Sequence, residues 1–294
     1  MRARLTAALC AVSCLAAAPA THAASAATTP TQTLRSGKQR IGYRSIGTGR
    51  PIVFVQGLAG TIDGWPPSFL DKVAARGHRV IVFDNEGIGR TTLLAGPLTV
   101  RRMGDDAARL IGALRLKRPD VAGWSMGGMI AQSLAVRHPR SVRRLVLLAT
   151  APGDGKATPP VADAQALLAS GNPAALLGEL FPPDQVATRD RYITDLLRRF
   201  DFSAIAPPAI VGAQLVAAAQ WMAGGDPDGK RVGHLALRAL VGGGEQDHLL
   251  PIDNQRHLAQ LIPHAKLITY ADAAHGFFFQ HDADFVPRLA TFLR

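Results

Sequence analysis

Short apolar runs and helical repeats alternate along most of this chain. Arg40–Ile46, Ile52–Gln56, Arg79–Phe83, Asp120–Trp124 and Arg143–Leu148 read as strands, and two more fall at about Leu237–Val241 and Lys266–Tyr270. Helical spacing separates most of them, over Ser68–Arg76, Val100–Leu114 and Asp284–Leu293. That alternation predicts an α/β fold with a mostly parallel central sheet flanked by helices. Between Thr150 and about Gly233 the rhythm breaks. No strand pattern occurs there; alanine- and leucine-rich helical patches are punctuated by Pro159-Pro160, Pro182-Pro183 and Pro207-Pro208. Asn172-Pro173 has the form of an N-cap followed by proline in the first helical turn. Residues 151–233 are therefore expected to form an inserted helical lid between two parts of one core, 38–150 and 234–294.

The amino end departs from this pattern. Arg2 and Arg4 precede an alanine- and leucine-rich run from about Leu5 to Ala20, followed by the small-residue sites Ala18-Pro19-Ala20 and Thr21-His22-Ala23. The run is short for a membrane span, so residues 1–23 are expected to be a cleaved secretory signal, with no integral span in the mature chain. A lipid anchor at Cys14 fits poorly, because Ala11-Val12-Ser13 is a weak approach to it. Residues 24–37, rich in Ala, Thr and Ser, are expected to be a flexible lead-in. Both cysteines, Cys10 and Cys14, lie in the leader, which excludes disulfides and thiolate chemistry from the mature protein.

Composition changes the picture little: 47% hydrophobic and 19% charged residues belong to a globular chain. The formal charge of +11 falls by 2, to +9, once Arg2 and Arg4 leave with the leader. The arginines are scattered in pairs and accompany no nucleic-acid motif, so no nucleic-acid partner is expected.

Candidate chemistry starts where Asp120-Val121-Ala122 runs into Gly123-Trp124-Ser125-Met126-Gly127, with Met129, Ile130 and Leu134 following at helical spacing. Strand, sharp turn and helix put a hydroxyl at the tip of a sheet, beside helix N-terminal N–H groups. Glycines flank the serine because a Cβ would collide in so tight a bend. A serine hydroxyl needs a base to take its proton and an acid to hold that base. Asp247, after Gly242-Gly243-Gly244, and His275, in Asp272-Ala273-Ala274-His275-Gly276, each follow a later strand. Asp154 is the alternative acid. His248 sits too close to Asp247 to serve as a separate base, His264 precedes its strand, and His281 is a further neighbour. Asp253 reads as a helix start.

These residues together resemble the α/β-hydrolase fold family, over about residues 38–150 and 235–294. The likeness extends to Asp247-His248-Leu249-Leu250-Pro251, Leu261-Ile262-Pro263-His264-Ala265, Ala274-His275-Gly276-Phe277 and the turn Asp84-Asn85-Glu86-Gly87-Ile88-Gly89-Arg90. The resemblance implies Ser125, Asp247 and His275 as the catalytic set, with the N–H groups of Leu58 and Met126 as the oxyanion hole. Two positions depart from the family: Gln56 stands where a histidine is usual, and Glu86 replaces a usual arginine and reads as a solvated loop charge. Trp65, Trp124 and Phe277 are candidate substrate contacts, with Phe278 and Phe279 beside them.

The expected function is an exported serine hydrolase, periplasmic or secreted. It would cleave a small or medium uncharged carboxylic ester or lactone, without metal or cofactor. The alternatives are a cofactor-free haloperoxidase or perhydrolase using the same residues, and a non-catalytic binding member of the fold.

Overall fold

The computed structural model describes residues 25–170 and 173–294. The leader proposed for residues 1–23 lies outside the described residues. Eight strands form one sheet: β1 (Gln32–Ser36), β2 (Gln39–Ile46), β3 (Arg50–Val55), β4 (His78–Phe83), β5 (Asp120–Trp124), β6 (Arg144–Leu148), β7 (Arg238–Gly244) and β8 (Ala265–Tyr270). Their order is β1-β2-β4-β3-β5-β6-β7-β8. β1, β2 and β4 pair antiparallel, and every pair from β4–β3 to β7–β8 is parallel.

Period-two alternation divides the apolar side chains between two cores. Val53 and Val55 of β3, Val121 of β5, and Leu145 and Leu147 of β6 enter one. Ile52 and Phe54, Ala122 and Trp124, and Val146 and Leu148 enter the other. Because both faces are covered, the central strands read as continuous apolar runs. The helices are α1 (Pro67–Ala74), α2 (Val100–Ala113), α3 (Met126–Arg137), α4 (Ala162–Ser170), α5 (Pro173–Gly178), α6 (Val186–Leu196), α7 (Pro208–Met222), α8 (Asp253–Leu261), α9 (Phe277–Gln280) and α10 (Asp282–Leu293). Side chains of α2, α3, α7 and α8 complete the first core, and those of α1, α9 and α10 the second. Helices α4 to α7 lie between β6 and β7, in the stretch where the sequence shows no strand pattern.

Two expectations are corrected. The lead-in is not flexible: Gln32–Ser36 is an edge strand in register with Gln39–Tyr43, and Asp71 accepts from Ser25 Oγ at 2.8 Å and Ala26 N at 2.7 Å. Its polar composition suits an edge strand with one solvated side. Glu86 is not a solvated loop charge. It is fully buried, accepts from Leu94 N at 2.6 Å, and pairs with Arg102 of α2, whose Nε lies 2.7 Å from Oε2.

A buried ionic network joins the amino segment to the insertion. Arg44 donates to Thr31 Oγ1 at 2.9 Å, to Asp63 Oδ1 at 2.6 Å and to the carbonyl of Asp201. Asp63 Oδ2 accepts from Ser203 N at 2.6 Å. Arg199 donates to the carbonyls of Ala26 at 2.7 Å and Trp65 at 3.0 Å. Burial, with the Arg44 guanidinium close by, brings Arg199 down to about 10. Removing one member would strand a buried charge, at a cost of about 3–5 kcal/mol.

Asp84, fully buried after β4, holds two loops at once: Oδ1 accepts from Ile62 N at 2.8 Å and Oδ2 from Arg90 N at 3.0 Å. Burial raises its carboxyl from 3.8 to about 6, against the opposing pull of those two N–H groups. The folded chain therefore holds this proton more tightly than the unfolded chain. The stability it contributes is full below 3.8 and is lost as pH rises through about 6. Relative to Asp84→Asn, the wild type should lose stability between pH 4 and 7, approaching about 3 kcal/mol. Calorimetric unfolding of both proteins across that range checks it; parallel curves would refute it.

Candidate active site

The candidate residues gather at the carboxyl edge of the parallel strands, where open α/β sheets bind ligands. Leu58 follows β3, Ser125 follows β5, Asp247 follows β7 and His275 follows β8. Ser125 sits at φ 57° and ψ −127°, a conformation that an L-residue holds only when its surroundings enforce it. The enforcement is visible. Its N–H donates to Leu148 O at 2.9 Å, while its carbonyl accepts from Gly128 N at 2.9 Å and Thr150 Oγ1 at 2.6 Å. A Cβ on Gly123 would lie 2.2 Å from Gly127 O, and one on Gly127 would lie 2.1 Å from Val55 O. Both glycines are required by close backbone approach, as the turn in the sequence implies.

His275 and Asp247 are both buried, and Nδ1 lies 2.8 Å from Asp247 Oδ2. The other oxygen of Asp247 accepts from Leu249 N at 3.0 Å and Leu250 N at 2.9 Å. The carboxylate is thus oriented by its own loop and spends one oxygen on the imidazole. Trp124 Nε1 donates to the His275 carbonyl at 3.1 Å and its ring lies 5.6 Å from the imidazole, which fixes the other side of the histidine loop. Among the described residues no protein group hydrogen-bonds the Ser125 hydroxyl. Ser125 and His275 line the same cavity.

The other acids and histidines are engaged elsewhere. Asp154 binds His257 Nε2 at 2.7 Å. His248 is exposed, with Nδ1 3.6 Å from Glu179. His281 stacks on Tyr270, and Asp253 is the first residue of α8.

The loop after β3 wraps round Gln56. Its Oε1 accepts from Gly57 N at 2.9 Å and its Nε2 donates to Thr61 O at 3.2 Å. A Cβ on Gly60 would come within 2.3 Å of Gln56 Cγ. Gln56 thus organises the loop from the position where the family usually has histidine. Leu58 N–H has no protein acceptor among the described residues, and Met126 N–H, at the start of α3, has no intrahelical one.

The cavity has a volume of about 260 Å³. Leu58, Trp124, Ser125, Met126 and His275 line it; Trp65 and Phe277, expected as substrate contacts, do not. Trp65 is fully buried and packs against Phe54, Phe69, Phe278 and Phe279. Phe277 is fully buried between Tyr270 and Phe285, against the backbone of Gly242. Phe277 is core because Gly242, in β7, leaves room for its ring, and Trp65 because other aromatic rings enclose it. The apolar wall comes instead from the insertion: Leu168, Leu176 and Leu177, with Leu215, Ala218 and Met222 of α7. The helical spacing of these last three is readable in the sequence, although nothing there says which face meets the cavity.

Comparison with known proteins agrees with this fold. The profile of the alpha/beta hydrolase fold matches residues 50–282. "Putative non-heme bromoperoxidase BpoC" of Mycobacterium tuberculosis is 31% identical over 258 residues, 83% of this chain and 94% of that one. The 2-hydroxymuconate semialdehyde hydrolase of a Pseudomonas species is 28% identical over 266 residues, 86% and 90% of the two chains. Among solved structures, an alpha/beta hydrolase fold protein from Chitinophaga pinensis superposes with a TM-score of 0.81 at 30% identity, covering 92% of this chain and 99% of the other. Est816, an N-acyl homoserine lactone degrading enzyme, gives 0.68 at 26%, covering 89% and 100%.

The glycine packing makes a paired prediction. Gly127→Ala should destabilise the protein by at least about 3 kcal/mol, as overpacking against backbone does at its upper range. Gly112→Ala, near the end of α2 with open space around it, should be neutral or stabilising by up to about 1 kcal/mol. Thermal unfolding of the two variants decides it; equal effects would refute the close-approach argument. With the fold, the profile match and the relatives in agreement, the chain belongs to the α/β-hydrolase fold family.

Proposed function

We propose that this chain is a serine hydrolase that cleaves a small or medium uncharged carboxylic ester or lactone through an acyl-enzyme. One observation carries the reading: a serine held in a strained turn opens onto the same cavity as a histidine buried against a carboxylate. Ser125 Oγ attacks the substrate carbonyl while His275 Nε2 takes the hydroxyl proton. Asp247 fixes the tautomer that donates from Nδ1 and stabilises the imidazolium that forms. The N–H groups of Leu58 and Met126 hold the oxyanion. His275 then passes its proton to the leaving alkoxide, and a water activated by the same imidazole releases the acid. Substrate binding has to bring Ser125 Oγ and His275 Nε2 into hydrogen-bond reach, as catalytic contacts commonly tighten in the occupied site.

Substrate class follows from the wall. Among the described residues it carries no Lys, Arg, Asp or Glu, and most of it is aliphatic. A charged acyl group would lose its hydration there without a partner. Helices α4 to α7 act as a lid in this reading, because they supply much of that wall. The names of the relatives support hydrolysis of esters, lactones and related bonds. The bromoperoxidase name of one relative favours a second reading, in which the same acyl-enzyme is attacked by peroxide in place of water.

Ser125→Ala should abolish both fluorophosphonate labelling and turnover of p-nitrophenyl esters while the fold persists. His275→Ala should lower kcat about as far, and Asp247→Asn by about 10³- to 10⁴-fold. Wild-type protein that resists labelling and hydrolyses no ester would overturn the proposal. Peroxide-dependent halide oxidation exceeding ester hydrolysis would favour the second reading.

The basic and apolar amino end leads us to propose export as well. Protein recovered outside the cytoplasm should begin between Ala20 and Ala27 by amino-terminal sequencing. An intact Met1 there would refute it.

A further inference from the structure

Helix α7 carries two functions within one turn of each other. Leu215, Ala218 and Met222 form part of the cavity wall, and Gln214, beside Leu215, is fully buried. Gln214 Oε1 accepts from the backbone N–H of Ala59 at 2.8 Å. Ala59 is next to Leu58, the oxyanion donor of the proposed mechanism, and has φ 57°, a left-handed conformation uncommon for a residue with a Cβ. Gln214 Nε2 is buried without a partner among the described residues. A buried amide group left half-satisfied is costly, and such groups are uncommon in folded proteins. A leucine would fill similar space at no such cost.

The loop is therefore held from two sides. Gln56 fixes it from within, through Gly57 N and Thr61 O. Gln214 reaches it from the insertion, a segment 155 residues away in the chain. The inner clamp lies within the loop and at the cavity edge. The outer clamp is attached to a helix whose next turns form the acyl wall. Any movement of α7 on filling the cavity is carried by one hydrogen bond to the residue following the oxyanion donor.

We infer that Gln214 is a positioning residue that couples acyl-chain contact on α7 to the placement of the Leu58 N–H, so that chain length is read in kcat as well as KM. This rests on the serine-hydrolase reading above. A chain that packs against Leu215, Ala218 and Met222 seats α7, and the Gln214–Ala59 bond seats the oxyanion loop. A short acyl group leaves α7 less constrained and gains less from the donor. Small misplacement of a reacting group or donor costs up to about 100-fold in rate.

The test compares p-nitrophenyl acetate and hexanoate with wild type, Gln214→Leu and Gln214→Glu. The wild type should turn over hexanoate with the higher kcat. Gln214→Leu should lose about 10- to 100-fold in kcat on hexanoate and much less on acetate, with the order of KM values unchanged. Its Tm should be unchanged or higher, because the orphaned donor is gone and the half-buried Ala59 N–H can turn to water. Gln214→Glu retains the acceptor and should restore the chain-length dependence. Amide exchange at Ala59 should quicken in Gln214→Leu and not in Gln214→Glu. Equal losses on both esters, a change confined to KM, or unaltered exchange at Ala59 would overturn the coupling. If the wild type shows Ser125-dependent turnover, those outcomes leave the serine-hydrolase reading intact; if it hydrolyses neither ester, both readings fall.

Discussion

The carbonyl of Val55 lies where only a hydrogen atom on residue 127 can face it, since a Cβ there would come within 2.1 Å. This contact between the end of β3 and the first turn of α3 governs much of the molecule. It lets α3 start directly at the sheet edge, forces the chain through the strained turn at Ser125, and brings the loop after β3 alongside. Gly57 completes the same packing, since a Cβ there would lie 3.0 Å from Ser125 Cβ. The strain at residue 125 is sustained by hydrogen bonds to β6 and to Thr150, so the conformation belongs to the sheet as a whole. Local geometry at the proposed nucleophile is thus a property of long-range packing.

Around that edge the remaining groups are placed by hydrogen bonds within their loops and, for the loop after β3, from outside it as well. Asp247 is held by two N–H groups of the turn that follows it, and Gln56 by the loop that it organises. The helical segment between β6 and β7 is attached at Ala59 by the neutral Gln214 amide and, elsewhere, by a buried ionic cluster. Arg44, Asp63 and Arg199 meet between β2, the segment after the oxyanion loop, and the stretch following α6. The apolar wall of the cavity therefore depends on a polar anchorage some distance from it.

Much of this was legible in the sequence, for a physical reason. Central strands buried on both faces leave continuous apolar runs, and all seven expected strands occur within a few residues of their predicted ends, the partly buried β2 and the exposed edge strand β8 included. The turn at Gly123–Gly127 was legible because steric demand leaves few residue choices. β1 was missed because Gln32–Ser36 carries a single apolar residue, Leu34, whereas the other edge strand, β8, keeps Leu267 and Ile268. Asp247 and His275 could be placed at strand ends, but only the fold shows them 2.8 Å apart. The aromatic assignments divided on what a sequence conceals. Trp124 reaches the cavity, whereas Trp65 and Phe277 are equally apolar and lie one layer deeper. Gln214 and the contacts of Arg199 and Asp201 were invisible, because their partners lie far away in the chain and no local pattern marks them.

The network that joins residues 26–31 to residues 199–203 has a consequence for the order of assembly. Ala26 and Arg199 are 173 positions apart, and Thr31 and Asp201 are 170 apart. A chain made from its amino end thus completes its first anchoring segment long before the partner of that segment exists. Contacts across such separations close late, after nearer pairings have compacted the chain. The anchorage of residues 199–203 is therefore among the last contacts to be secured, although Asp71 holds Ser25 and Ala26 earlier, and the helical segment is fixed only when the two ends of that long loop have met.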